Sequence, residues 1–186
     1  MSYKITLFLH IIGAFILFAA MVIEWLSLIN FRKTTDFGTV KVSVSNYSKS
    51  VVIGPIAAIL ILIPGIYLMT FGWNNANWII IAFIGMILLA VTGGVMTGKK
   101  MKAIKKIVST ENKMSPELRS LLNNNSLILS LKIRSSVFLG IIYLMTVKPD
   151  LAGSIITLIV SIILGFIPLK TKVDADEVLQ AERKSN

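Results

Sequence analysis

The sequence predicts an all-α membrane protein of five transmembrane helices, with the N-terminus outside and the C-terminus in the cytoplasm. Three observations carry this expectation. Of 186 residues, 55% are hydrophobic, and the mean hydropathy is +0.79; that composition leaves no room for a soluble domain of ordinary size. The apolar residues gather in five runs of about 20 residues, each enough for roughly 30 Å of helix. The basic residues crowd the ends of those runs on one side. A net charge of +10 would suggest nucleic acid in a soluble protein, but this placement makes the lipid bilayer the partner and nucleic acid none.

The runs are Ile5–Phe31, Val51–Trp73, Trp78–Gly98, Leu127–Val147 and Leu151–Leu169. None alternates, so they read as helices rather than barrel strands. They make residues 1–173 a single transmembrane domain. The first run is preceded only by Lys4 and is far longer than the apolar core of a cleavable signal, so it reads as a retained helix. It holds the only histidine, His10, and a lone acid, Glu24. Fourteen helical steps bring Glu24 back to within roughly 40° of His10, with Gly13, Leu17 and Met21 between them on that face.

Orientation follows from the basic loops. Arg32, Lys33, Lys41 and Lys49 follow the first helix. Lys99, Lys100, Lys102, Lys105, Lys106, Lys113 and Arg119 follow the third, and Lys170, Lys172, Arg183 and Lys184 follow the fifth. Lys4 and Lys148 alone fall on the other side. By the positive-inside rule the rich side is cytoplasmic, where these loops would meet anionic lipid headgroups. Trp73 and Trp78 bracket the external turn Asn74-Asn75-Ala76-Asn77 as an interfacial belt would. The basic cytoplasmic linker 99–125 places Met101, Ile104 and Val108 on one face; it reads either as a membrane-surface continuation of the third helix or as a solvated linker. Ser115-Pro116-Glu117 marks a helix start, and 174–186 is a polar cytoplasmic tail.

Aligned without gaps, Ile63–Leu89 and Leu139–Gly165 superimpose Ile66-Tyr67-Leu68-Met69-Thr70 on Ile142-Tyr143-Leu144-Met145-Thr146. Both segments are a rising helix, a turn and a returning helix. A parallel duplication of two hairpins would make helices two to five a four-helix bundle, with the first helix docked against it through the His10–Glu24 stripe.

Glu24 lies about two turns from the cytoplasmic end of the first helix, and Arg134 about two turns into the fourth, which enters from the same side. Bare charge at the bilayer centre costs at least ~2.5–3.5 kcal/mol, so an ion pair is the expected remedy. Arg134 is the first partner for Glu24 and Lys132 the second, with snorkelling to the headgroups as the alternative for both. In the other leaflet, His10 falls at the depth of the repeat-related Met69 and Met145. An imidazole nitrogen with thioether sulfur suits haem iron or copper(I), with His10 as the metal ligand; an interhelical hydrogen bond is the plainer use of such a histidine. Cysteine is absent, which excludes disulfides and thiolate metal sites. With one histidine per chain, no multi-histidine site can form within it.

Leu9-His10-Ile11-Ile12-Gly13 and Leu144-Met145-Thr146-Val147-Lys148-Pro149 resemble a family of uncharacterised bacterial integral membrane proteins, allied in fold with CopD-type copper-resistance proteins and HemJ-type protoporphyrinogen oxidases. The resemblance implies a multi-pass protein of the bacterial cytoplasmic (inner) membrane and makes His10 the match to a first-helix haem or metal histidine, with haem b ahead of copper. A bis-histidine haem would then need a homodimer; a methionine or lysine axial ligand is the other route. Three functions are open: a haem- or metal-associated redox protein, a small transporter whose buried Glu24 titrates against Arg134, or an accessory subunit without chemistry. Gly93, Gly94 and Gly98 read as packing positions rather than a phosphate loop, and no catalytic motif is present.

Overall fold

The computed structural model describes residues 2–72 and 76–167. Trp73, Asn74 and Asn75 of the external turn, the end of the fifth predicted helix (168–169), the basic residues beyond it and the tail 174–186 lie outside them. The described chain is helical: α1 (Tyr3–Lys33), α2 (Phe37–Met69), α3 (Asn77–Val91), a π-helical segment (Thr92–Gly98), α4 (Lys99–Thr110), α5 (Pro116–Leu122), α6 (Asn125–Val147) and α7 (Leu151–Phe166). Four stretches are long and apolar enough to cross a membrane: Tyr3–Lys33, Phe37–Met69, Asn77–Thr110 and Pro116–Val147. Leu151–Phe166 is a shorter apolar helix. The fourth and fifth predicted helices are α6 and α7.

Local chemistry sets the ends. α1 closes with Arg32 and Lys33 in its last turn, where cations suit the exposed carbonyls. Asp36 caps α2, its carboxylate accepting bonds from the Thr39 N–H and hydroxyl at 2.7 Å each. Those bonds hold the Asp36 carboxyl below its ordinary pKa. Ser115 accepts from the Leu118 N–H, with Pro116 in the first turn of α5. Asp150 caps α7 by accepting from the Gly153 N–H at 2.8 Å.

α2 begins at Phe37, not Val51. Its added turns are not an apolar run but a stripe, Val40, Ser43, Val44 and Tyr47, buried on one face while Lys41 and Lys49 stay exposed. The predicted end at Trp73 is replaced by a stop after Met69, followed by Gly72 at φ 107°, a left-handed conformation that suits glycine.

The residues after the third helix continue it through the π segment into α4. The apolar face of α4 does not lie on a membrane surface, and the linker is not solvated throughout. Met101, Ile104 and Val108 are buried with Leu28 and Phe31 of α1, Val40, Val44 and Tyr47 of α2, Leu118 and Leu122 of α5, and Leu127 and Leu131 of α6. This cap closes one end of the molecule.

The pairing of helices also departs from expectation. α2 packs chiefly along α1, while α3, α6 and α7 pack on one another, and α2 makes no comparable contact with α3. A bundle of the second to fifth helices with α1 added, built from two equivalent hairpins, is therefore not the arrangement observed. Gly13 explains the α1–α2 partnership. A Cβ there would lie 2.9 Å from the Leu60 carbonyl carbon and 3.0 Å from the Ile61 nitrogen, so glycine lets the two backbones meet closely. On the other side, a Cβ at Gly165 of α7 would lie 2.7 Å from the Ile133 Cα of α6. The second buried cluster, with Ile81, Ala82 and Met86 of α3 and Ile133, Val137 and Ile141 of α6, meets α2 at Ile61.

Because Ile104 is fully buried in the cap, Ile104→Ala is expected to lower stability by about 2–4 kcal/mol, read as a fall in the unfolding midpoint of detergent-solubilised protein. A helix lying on a lipid surface would lose almost nothing.

Candidate functional site

Two features interrupt the packed apolar interior, a buried charge network and a cavity, both between the α1–α2 pair and the group that contains α3 and α6. The first is built on Glu24, which is 4% exposed. Arg134 reaches it from α6, Nη2 donating to Oε2 in a salt bridge. The Tyr47 hydroxyl of α2 donates to the same oxygen at 3.2 Å. Lys132 takes no part: its Nζ donates to the Ile167 carbonyl at 2.9 Å, at the end of α7. Two residues along a helix turn a side chain by about 200°, so Lys132 and Arg134 leave α6 on different faces. An orphaned carbonyl at a helix end is a ready partner for a lysine.

The π-helical segment shapes the space around Arg134. A Cβ at Gly93 would lie 3.4 Å from Arg134 Nη1, an ordinary contact distance, so this turn packs directly against the guanidinium. The Ser130 hydroxyl of α6 donates to the Thr92 carbonyl at 3.1 Å and accepts from the Thr97 hydroxyl at 2.8 Å. The wide turn is thereby tied to α6 at both its ends. Trp25, beside Glu24 in the chain, donates Nε1–H to the Ser135 hydroxyl at 2.9 Å. Arg134 Nε is buried without a hydrogen-bond partner among the described residues.

The second feature is a cavity of about 820 Å³, within the size range of cofactor and ligand pockets. His10, Met69 and Met145 all line it, although they come from α1, α2 and α6. The rest of the lining is almost wholly apolar; Phe18 and Phe138 stack across it with ring centroids 6.3 Å apart.

His10 is held by α2. Its Nδ1 lies 2.8 Å from the Ile61 carbonyl oxygen. A carbonyl can only accept, so Nδ1 carries the hydrogen and Nε2 of the neutral ring keeps its lone pair. Pro64 lacks the N–H that the Leu60 carbonyl would otherwise receive, which loosens the ladder where His10 docks. Gly65 completes the seat: a Cβ there would lie 3.2 Å from His10 Nδ1 and Cε1. A ring nitrogen anchored to a backbone carbonyl with the opposite nitrogen free is how metal-binding histidines are oriented. Among the described residues, no three His, Cys, Asp or Glu side chains gather as an ion site.

Tyr47 and the Ser130–Thr97 bridge were not foreseen from sequence, and Gly93 was read there only as a packing position. Only Tyr47 left a signal there, as the polar member of the Val40-Val44-Tyr47 stripe. The 14 residues between His10 and Glu24 separate the two sites by roughly 21 Å along α1.

A family model described as "Predicted integral membrane protein (DUF2269)" matches residues 4–149, the span from α1 through α6 that carries both sites. No curated protein and no solved structure matches the chain.

Breaking the buried pair from either side leaves a charge without its partner. Glu24→Gln and Arg134→Gln are each expected to cost about 3–5 kcal/mol in unfolding of the purified protein. The double substitution Glu24→Gln/Arg134→Gln is expected to cost less than the two single losses added together. Strict additivity would show that the pair carries no coupling.

Proposed function

The chain belongs to this family of predicted integral membrane proteins, and from that premise we propose that it is a membrane redox protein binding a b-type haem in the cavity between α1, α2, α3 and α6, where His10 would hold the iron. The observation that carries the reading is the state of His10: Nδ1 committed to the Ile61 carbonyl, and Nε2 with its lone pair on a residue that lines an apolar cavity. Haem suits such a site because it brings most of its iron's ligands with it and would need few from the protein. Met69 and Met145 line the same cavity and would be the chain's own thioether donors to such a group. A bound haem would supply one-electron chemistry there, tuned by the residues that hold it and by its largely apolar surroundings.

The chain's own residues do the rest. Gly65 and Ile61 fix the imidazole, the stacked Phe18 and Phe138 present flat apolar surface, and the scarcity of polar lining keeps water out. The Glu24–Arg134–Tyr47 network, at the other end of α1, holds the helices in register rather than touching the cofactor. The location in this proposal is the bacterial cytoplasmic membrane, spanned five times, with the His10 end outside and the basic cap inside among anionic headgroups; the asymmetry of lysine and arginine supports it.

Protein purified in mild detergent after expression with a haem precursor is expected to show a Soret band, with sharp visible bands on dithionite reduction. His10→Ala is expected to abolish or strongly broaden them while α-helical circular dichroism stays unchanged. A protein that stays colourless and takes up no added haemin would overturn the reading.

A further inference from the structure

The cavity is apolar in its depth but carries a fixed positive charge at its edge. Among the described residues that line it, Lys148 alone is permanently charged. Lys148 caps α6 with its N–H bonded to the Leu144 carbonyl at 3.1 Å, and its backbone is left-handed, φ 54° and ψ 53°. It is the one non-glycine residue with positive φ among those described. Glycine or asparagine takes such a position at lower cost. A lysine there needs a reason in its side chain.

The surroundings supply one. Lys148 Nζ lies 5.9 Å from the centroid of the Trp78 ring, and Trp78 also lines the cavity. Pro149 follows immediately and stiffens the turn. Asp150, two residues on, caps α7 by accepting from the Gly153 N–H, which fixes where the turn ends. A cation on a rigid turn at the edge of an apolar cavity is complementary to an acid group on an apolar body.

We propose that Lys148 anchors the carboxylate of an apolar, carboxylate-bearing ligand, holding its acidic edge at the Trp78 side while the apolar body lies inward toward His10. The inference deepens the haem reading and rests on its cavity, though not on its iron. A haem meets the description through its propionates, and a long-chain fatty acid meets it through its headgroup.

Titrating cofactor-free protein in phosphatidylcholine nanodiscs tests it in two arms. One compares haemin with haemin dimethyl ester by absorbance. The other compares dibromostearic acid with its methyl ester by quenching of tryptophan emission, for which Trp78 is the built-in reporter. In at least one arm the acid is expected to bind roughly tenfold tighter than its ester, the scale of one charge-assisted bond. Lys148→Gly should erase that preference and Lys148→Arg retain it. Glycine suits the left-handed backbone, so misfolding does not confound the first variant. Equal binding of acid and ester in both arms, or an acid preference that survives in Lys148→Gly, overturns the proposal. A preference seen only for the fatty acid, with no His10-dependent Soret band from haemin, sinks the haem reading and leaves the Lys148 anchor standing. A His10-dependent Soret band without any acid preference does the reverse.

Discussion

The ion pair between Glu24 and Arg134 is the constraint on which the rest of this structure depends. Most of the interior is held by aliphatic contact, and between apolar helices in lipid such contact sets no unique register, because lipid tails are as apolar as the side chains they would replace. A buried carboxylate is different. Desolvating it costs several kcal/mol unless a cation and hydrogen bonds meet it in good geometry. α6 must therefore present Arg134 at the depth of Glu24, and α2 must present Tyr47 to the same oxygen. The continuous helix from α3 to α4 packs against the guanidinium at Gly93, in a π-helical turn. π segments weaken local hydrogen bonding and need outside support. Ser130 and Thr97 provide it across the interface to α6.

The cap follows from the same geometry. Glu24 sits just inside the point where α1, α2 and α6 leave the mainly apolar half of the molecule. Beyond it the helices continue and bury Phe31, Val44, Ile104 and Leu122 in a conventional core. α4 and α5 cover this end with lysines outward: Lys102, Lys105 and Lys106 are exposed while Met101, Ile104 and Val108 are not. Apolar side chains inward and lysines outward are the pattern by which a core is buried from water. The described chain thus shows two kinds of packing, with the buried pair where they join.

How much of this was legible in the sequence divides along the same line. Apolar runs of spanning length are a composition signal, and the long apolar helices lie where hydropathy places them. The reach of α2 back to Phe37 was hidden because its extra turns are amphipathic, with buried Val40, Val44 and Tyr47 three or four residues apart among polar neighbours. A search for unbroken apolar runs passes over such a stripe, although its helical period is readable. Which helices pack together was not legible. Hydropathy reports that a face avoids water and says nothing of which face it meets, so the repeat of Ile66–Thr70 in Ile142–Thr146 was an unreliable guide to packing. Gly13, lying directly against the Leu60 backbone, decides the α1–α2 partnership, yet in sequence it is one small residue among twelve glycines. The depth argument that set Glu24 beside Arg134 used only helical rise. It ranked Arg134 ahead of Lys132 two residues away but left Lys132 open, because rotation about α6 depends on packing the sequence does not state.

Both sites are split the same way, and this connects them physically. The α1–α2 pair contributes His10 with its Ile61 and Gly65 seat to the cavity, and Glu24 with Tyr47 to the ion pair. The other group contributes Met86, Phe138 and Met145 to the first and Arg134 and Gly93 to the second. One seam therefore carries the cavity at one end and the charge network at the other. A rotation of the α1–α2 pair against α3 and α6 would move His10 relative to Met145 and Glu24 relative to Arg134 together, since α1 is a single uninterrupted helix through both. The stiff α1 and the two prolines of α2 differ in this respect: Pro55 and Pro64 each remove a backbone bond between Tyr47 and the end of the helix. α2 can bend where α1 cannot. The imidazole is tied to α2 just where Pro64 loosens it, while the carboxylate rides on α1, so bending of α2 would adjust the cavity and leave the ion pair in place.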